Sequence, residues 1–187
     1  MGRRKATDGD TGPLLIEGAA RGFRAGGLNG IGVDGLARQA GLTSGAFYAR
    51  FGSKAAAFRA TVETGVAYLA AAVTAAQEDG GDDWRGRFVD FYLIELLSAD
   101  IESACAVPTF AVDVMRSDDA TRATFDRGLG QVVDRLALGI GGDNARARAW
   151  ALLSLLVGAA AVARALPEGS EGRTGILDAA RTAALAV

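Results

Sequence analysis

The chain has 187 residues, 50% of them hydrophobic, enough to bury one sizeable core or two small ones, and its net charge of −2 argues against a general nucleic-acid coat. Histidine is absent and cysteine occurs once, at Cys105, which removes His-based triads, Cys–His nucleophile pairs, any internal disulfide and most zinc, copper or haem sites. The charge is uneven: residues 1–60 carry nine Lys/Arg against four Asp/Glu and the remainder eleven against eighteen, so only the first third is expected to meet phosphate.

Met1-Gly-Arg-Arg-Lys is basic like the start of a signal peptide, but the polar run Thr7-Asp-Gly-Asp-Thr-Gly-Pro13 follows where an apolar stretch is required. Residues 1–13 are expected to form a flexible basic arm. Its Arg3-Arg4-Lys5 could add phosphate or minor-groove contacts, although a solubilising tail is the commoner use of such a run. A helix is predicted from Leu14, with Leu15, Ala19, Ala20 and Phe23 on one stripe, ending at Gly26-Gly27. A second spans Val33 to Ala40, Gly41-Leu42 makes a turn, and a third runs from Ser44 to Phe51 with Thr43 as its N-cap. A longer helix follows from about Lys54, its period kept by Phe58, Val62, Leu69 and Val73, and Gly80-Gly81 ends it.

Beyond residue 83 the apolar spacing stays helical. Trp84, Phe88, Phe91 and Glu95 fall on one face of the next helix, and Val89, Leu93 and Leu96 on another. Pro108 marks a break or a start near Val107. Ser117 is the expected cap of a helix carrying Phe125, Leu129, Val132 and Leu136, which Gly139 to Gly142 ends. Ala145 to Leu166 is apolar around much of its circumference, and a last helix is predicted from about Thr174. The longest uncharged apolar run, Ala149 to Ala163, is short of the roughly 20 residues of a membrane span. The expected molecule is all-α, with about nine helices, soluble and cytoplasmic, without a membrane contact or a cofactor. No nucleophile–base pair, metal cluster or phosphate-cradling loop suggests an enzyme.

Residues 33–54 hold the strongest functional signal. A helix that enters a DNA major groove needs a slim first turn, which Ser44, Gly45 and Ala46 supply. Leu36, Ala37, Ala40, Leu42 and Phe47 would pack the helix pair together. Thr43, Tyr48 and Lys54, with the helix N-terminus beside it, are placed to meet phosphates. The span 14–58, through L-L-I-E-G-A-A-R-G-F-R-A-G-G, V-D-G-L-A-R-Q-A-G-L and the tail S-G-A-F-Y-A-R-F-G-S-K, resembles the DNA-binding domain of TetR-family transcriptional regulators. The resemblance implies that Tyr48 and Lys54 touch phosphates and that Ser44, Gly45 and Ala46 face bases. Gly32 departs from it, standing where the family often has a capping Ser or Thr. The short side chains at 44–46 offer few base contacts, so Arg38, Arg50 or DNA shape are expected to add specificity. Gly18, Gly22 and Gly35 lie inside predicted helices, each costing up to ~1 kcal/mol, so a domain of modest stability is expected.

The resemblance further implies that residues 59–187 form a helical effector-binding and dimerisation domain. The run I-E-S-A-C-A-V-P loosely resembles a segment that opens the sixth helix in part of that family. A pocket is expected among Trp84, Phe88, Phe91, Tyr92, Phe110, Met115 and Trp150, with Glu95 the odd carboxylate on an aromatic stripe and Asp113 a weaker case of the same kind. The last two helices are expected to form a four-helix bundle with a second copy through Leu152, Leu155, Leu156, Gly158, Ala159, Val162, Ala163 and Leu166. The expected function is that of a homodimeric repressor, released from a palindromic double-stranded DNA operator by a small apolar or aromatic effector. Two alternatives stand beside it: a regulator that senses oxidants or electrophiles through Cys105, and a helical ligand-binding or interaction protein with degenerate DNA binding.

Overall fold

A computed structural model describes residues 8–187 of the chain. Among these residues there are nine α-helices and no strand, the all-α fold expected from the sequence. They are α1 (Asp8–Gly30), α2 (Val33–Gln39), α3 (Ser44–Phe51), α4 (Lys54–Gly80), α5 (Trp84–Asp90), α6 (Ala106–Met115), α7 (Asp119–Ile140), α8 (Ala145–Ala165) and α9 (Glu171–Ala186). The fifth runs on through a π turn (Phe91–Glu95) into a last α turn (Leu96–Ser98), and a 3-10 turn (Ile101–Ser103) leads towards α6.

Local chemistry explains most boundaries. Thr43 Oγ1 accepts from the Ala46 N–H at 3.2 Å and opens α3, and Ser53 Oγ accepts from Ala56 at 3.0 Å and opens α4. Three helix starts differ from the sequence expectation, and α1 kinks at Gly27, where its end was expected, before running on to Gly30. The first helix starts at Asp8 rather than Leu14, with Pro13 in its second turn, and residues 8–13 are therefore helical rather than part of an arm. Arg3-Arg4-Lys5 lie outside the described residues. Asp118, not Ser117, caps α7, accepting from the Thr121 N–H at 2.7 Å, because the Ser117 hydroxyl turns back to donate to the Val114 carbonyl at 2.7 Å. The last helix starts at Glu171, where Ser170 accepts from Arg173 at 3.2 Å.

Two hydrophobic cores are built along one continuous helix. The first collects Ala19, Phe23, Leu36, Ala37, Phe47, Phe58 and Val62 from α1 to α4 and, from α6, Ala106, Phe110 and Val114. Phe58 sits between Phe23 and Phe110, edge to face with both at 5.2 and 5.3 Å between centroids. The second core draws on the rest of α4 and on α5 to α9, through Leu69, Val73, Phe88, Tyr92, Val133, Leu136, Leu152 and Leu156. Because α4 spans 27 residues and feeds both, the small first core is braced against the larger one.

The interior glycines are close-approach sites. A methyl at Gly18 would stand 2.5 Å from Ala40 Cα and 2.6 Å from the Gln39 carbonyl, so its absence lets α1 lie on the end of α2. Gly139 is the last close-approach site of α7: the Trp84 indole occupies the space of its missing side chain, with Cζ2 2.7 Å from where a Cβ would be. The helix ends at Gly141, within the expected run Gly139 to Gly142, and this glycine adopts φ 63.

Candidate DNA interface and ligand cavities

The helix pair α2–α3 turns at Gly41, whose φ of 68 only glycine adopts without strain, and the Leu42 N–H donates to the Ala37 carbonyl at 2.7 Å to close the turn. Leu36, Ala37, Ala40 and Phe47 are buried beneath it, which leaves the opposite face of α3 to solvent. Gly45, Ala46, Tyr48 and Arg50 lie on that face, Tyr48 at 51% exposure. Arg38 at the end of α2 and Thr43 are exposed beside them, and Lys54 is half-buried at the start of α4. Seven of the eight candidate DNA contacts thus surround one convex edge.

Ser44 is differently placed. It is half-buried, and its hydroxyl donates to the Asp34 carboxylate of α2. That bond fixes the angle between α2 and α3 and takes up the hydroxyl. The Arg50 guanidinium rests over the Phe51 ring at 5.5 Å, which holds its stem along the surface. At the N-terminus of α2, Gly32 makes no side-chain cap, and a Cβ there would meet nothing within 4 Å.

The eight candidate pocket residues are not gathered in one cavity. Phe88 and Tyr92 are buried in the second core, with Trp84 packed at its edge, and Phe110 is buried in the first core. Met115 is 62% exposed and Trp150 37%. The π turn accounts for Glu95: the extra residue it admits rotates the helix, so that Tyr92, Leu93 and Leu97 turn inward while Ile94 and Glu95 reach solvent. Asp113 is also accounted for, since its Oδ2 accepts the Leu28 N–H at 2.9 Å beside the non-helical Gly27.

A groove of about 780 Å³ runs between α4 and α5, floored by Ala71, Ala72, Ala75 and Ala76, with Tyr68, Phe91, Asp79, Arg87, Asp90 and Glu95 around it. Of the expected pocket residues, Phe91 and Glu95 line it. The α4 side escaped the sequence reading, although its signal was present: small residues and one tyrosine at helical spacing opposite an aromatic helix. The Arg181 guanidinium forks onto Asp90 at 2.6 and 3.0 Å and holds its carboxyl below the usual carboxylate range.

Cys105 lies at the entry to α6 and is 9% exposed. The Tyr92 hydroxyl donates to its Sγ at 3.4 Å, and burial pushes the thiol pKa up, against the smaller lowering effects of that bond and of Arg24 and Arg164.

Residues 15–61 match the family model described as bacterial regulatory proteins, tetR family. Residues 15–61 therefore carry a TetR-family domain. No curated protein sequence matches the chain. Among solved structures, the fold is similar to the reduced form of NemR from E. coli, at 21% identity over 95% of this chain and 96% of that one, with a TM-score of 0.79. It is similar to a TetR transcriptional regulator from Legionella pneumophila, at 16% identity, 98% of both chains and a TM-score of 0.78. A TetR-family regulator from Cytophaga hutchinsonii gives 17% identity, 99% and 98% coverage and a TM-score of 0.77. The TetR-type fold therefore extends over nearly the whole chain.

In this TetR-type chain, the candidate interface residues on α8 divide by face. Leu152, Leu156, Ala159 and Ala163 are buried against the chain's own helices, and Leu155 and Leu166 are half-buried. Gly158 and Val162 are exposed, the latter at 48%, together with Ala151, Ser154, Ala161 and Ala165, which the sequence reading did not single out. By length and composition α8 is apolar enough to cross a membrane, yet seven of its residues are packed inside the bundle.

Proposed function

We propose that the chain is a homodimeric transcriptional repressor that reads a palindromic operator with α3 and is released by a small apolar or aromatic ligand. In this reading residues 14–58 hold the DNA, and residues 59–187 bind the effector and the second copy. The observation that carries it is the exposed edge of α3, where a first turn without bulky side chains is flanked by Tyr48, Arg50, Arg38 and the Ser53-capped start of α4 with Lys54. A groove accepts such a turn, and hydroxyl, cationic and backbone N–H donors at its rim suit phosphates. Base readout rests on Gly45 and Ala46 for close approach and on Arg38 and Arg50 for hydrogen bonds; Ser44 supports the geometry through Asp34.

The α4–α5 groove suits the effector: its floor is alanine, its aromatic groups are Tyr68 and Phe91, and Glu95 and Asp90 stand at its rim. A ligand there acts by binding one arrangement of α4 better than the other, and operator affinity falls by that difference. The exposed small residues of α8 support dimerisation, since they allow a partner helix to approach closely. A thiol switch at Cys105 draws less support, because burial keeps that thiol protonated.

Selection of duplexes from a random DNA library at about 150 mM salt, which suppresses non-specific phosphate binding, tests the reading. An enriched palindrome is expected. A folded dimer that enriches no sequence would overturn it.

A further inference from the structure

A second cavity, of about 300 Å³, lies between the two cores, walled by α1, α4 and the segment from Leu96 to Ala106. Arg24 reaches it from α1, with its side chain only 9% exposed. The Arg24 Nη1 donates to the Glu102 carbonyl at 3.1 Å and lies 3.5 Å from the Glu17 carboxylate. Its Nε is buried without a hydrogen-bond partner, and among the described residues Nη2 donates to no protein atom. The Phe110 ring, 5.7 Å from the guanidinium carbon, shields one face.

Nε–H and Nη2–H form one edge of the guanidinium, and two parallel donors on one edge match the two oxygens of a carboxylate. This is the edge left free. Glu17, 47% exposed, faces only the other nitrogen. Among the described residues no other carboxylate lines the cavity, whereas Thr64, Tyr68 and Ser103 do. Arg164 adds positive potential at Cys105, on the cavity wall.

We propose that this cavity binds a small organic carboxylate, one oxygen of which accepts from Nη2 of Arg24 and the other from Nε once the guanidinium turns its buried edge to the guest, while its hydrocarbon part rests on Ala20, Leu69 and Leu96. The volume is at the lower end for small-molecule sites, which limits the guest to a short acid. Such a guest touches α1 of the first core and the segment before α6 at once. It is a different site, of different chemistry, from the α4–α5 groove, and does not depend on the effector reading.

Hexanoate, hexylamine and inorganic phosphate titrated against the full chain, without DNA, test the proposal by thermal shift and by the Arg24 Nε–H resonance in ¹⁵N spectra. Hexanoate is expected to give a saturable rise in Tm and to move that resonance; hexylamine gives neither. Arg24→Gln should weaken hexanoate binding by about tenfold or more, and Glu17→Gln should tighten it by removing the competing carboxylate. Thr64→Trp, at the exposed lip, blocks entry while leaving Arg24 in place, so a failure of Arg24→Gln to fold does not stop the test. The absence of any saturable response to hexanoate, a preference for phosphate alone, or undiminished binding in Thr64→Trp overturns the proposal.

Discussion

Gly45 has open space where a side chain would begin, in the turn of α3 assigned to the groove. Alanine there should stabilise the fold by about 0.5–1 kcal/mol through helix propensity. If α3 reads DNA, the added methyl should cost about tenfold in operator affinity, a loss on the scale of one base contact. Melting and anisotropy measurements should therefore move in opposite directions, and joint improvement would remove Gly45 from the interface. Cys105 permits a second test. Its thiol is protonated by burial and accepts from Tyr92, so its reaction with a disulfide reagent at pH 8 should be about tenfold or more slower in the folded chain than in denaturant. Equal rates would revive the thiol switch. At this scale the sequence was legible where a side chain serves its own backbone, as Thr43 and Gly41 do. It was silent where two distant residues meet, as Ser44 and Asp34 do across the turn or Arg24 does with the Glu102 carbonyl.

Helices are decided by how near they approach, and Gly18 carries that information for α1 and α2. Helix propensity favours Gly18→Ala by up to ~1 kcal/mol, but a methyl 2.5 Å from Ala40 Cα forces the helices apart at roughly 1–3 kcal/mol. Net destabilisation of ~1 kcal/mol is expected in chemical denaturation, and a gain would contradict this packing. The glycines that read as weaknesses in the sequence are thus conditions of contact, and periodicity alone contains no trace of that. The π turn at Phe91–Glu95 was equally hidden, since an added residue in one turn changes which face is inward without changing composition. Asp90 and Arg181 tie α5 to α9. The Asp90 carboxyl is held below its ordinary range, so the contact contributes fully above about pH 4 and fades as pH falls through the lowered value. Both partners are part-exposed, so in chemical denaturation Arg181→Ala should cost little at pH 7, and progressively less as pH falls through the lowered value.

The whole molecule leaves one strip of α8 unaccounted for within a single chain: Ala151, Ser154, Gly158, Ala161, Val162 and Ala165 are exposed and nearly featureless. Val162→Arg should convert the proposed dimer to a monomer in sedimentation equilibrium while leaving the helical circular dichroism unchanged. A dimer that persists moves the interface elsewhere. The strip was partly legible, because the circumferential apolarity of α8 signalled more contacts than one core supplies. The division of its residues between inner and outer faces needed the third dimension.

The joint between the cores has a consequence for the DNA that would be bound. α4 passes from one core to the other unbroken, Asp113 grips the Leu28 N–H at 2.9 Å, and Phe110 of α6 meets Phe58 edge to face in the first core. There is no tether with slack to pay out. One base pair inserted between half-sites turns the second by about 34° around the duplex axis. A protein whose reading heads hang on strings absorbs such a turn; a caliper does not. Binding to the lengthened duplex should fall to the level of random DNA, and the natural sites should share one spacing with no tolerated variants.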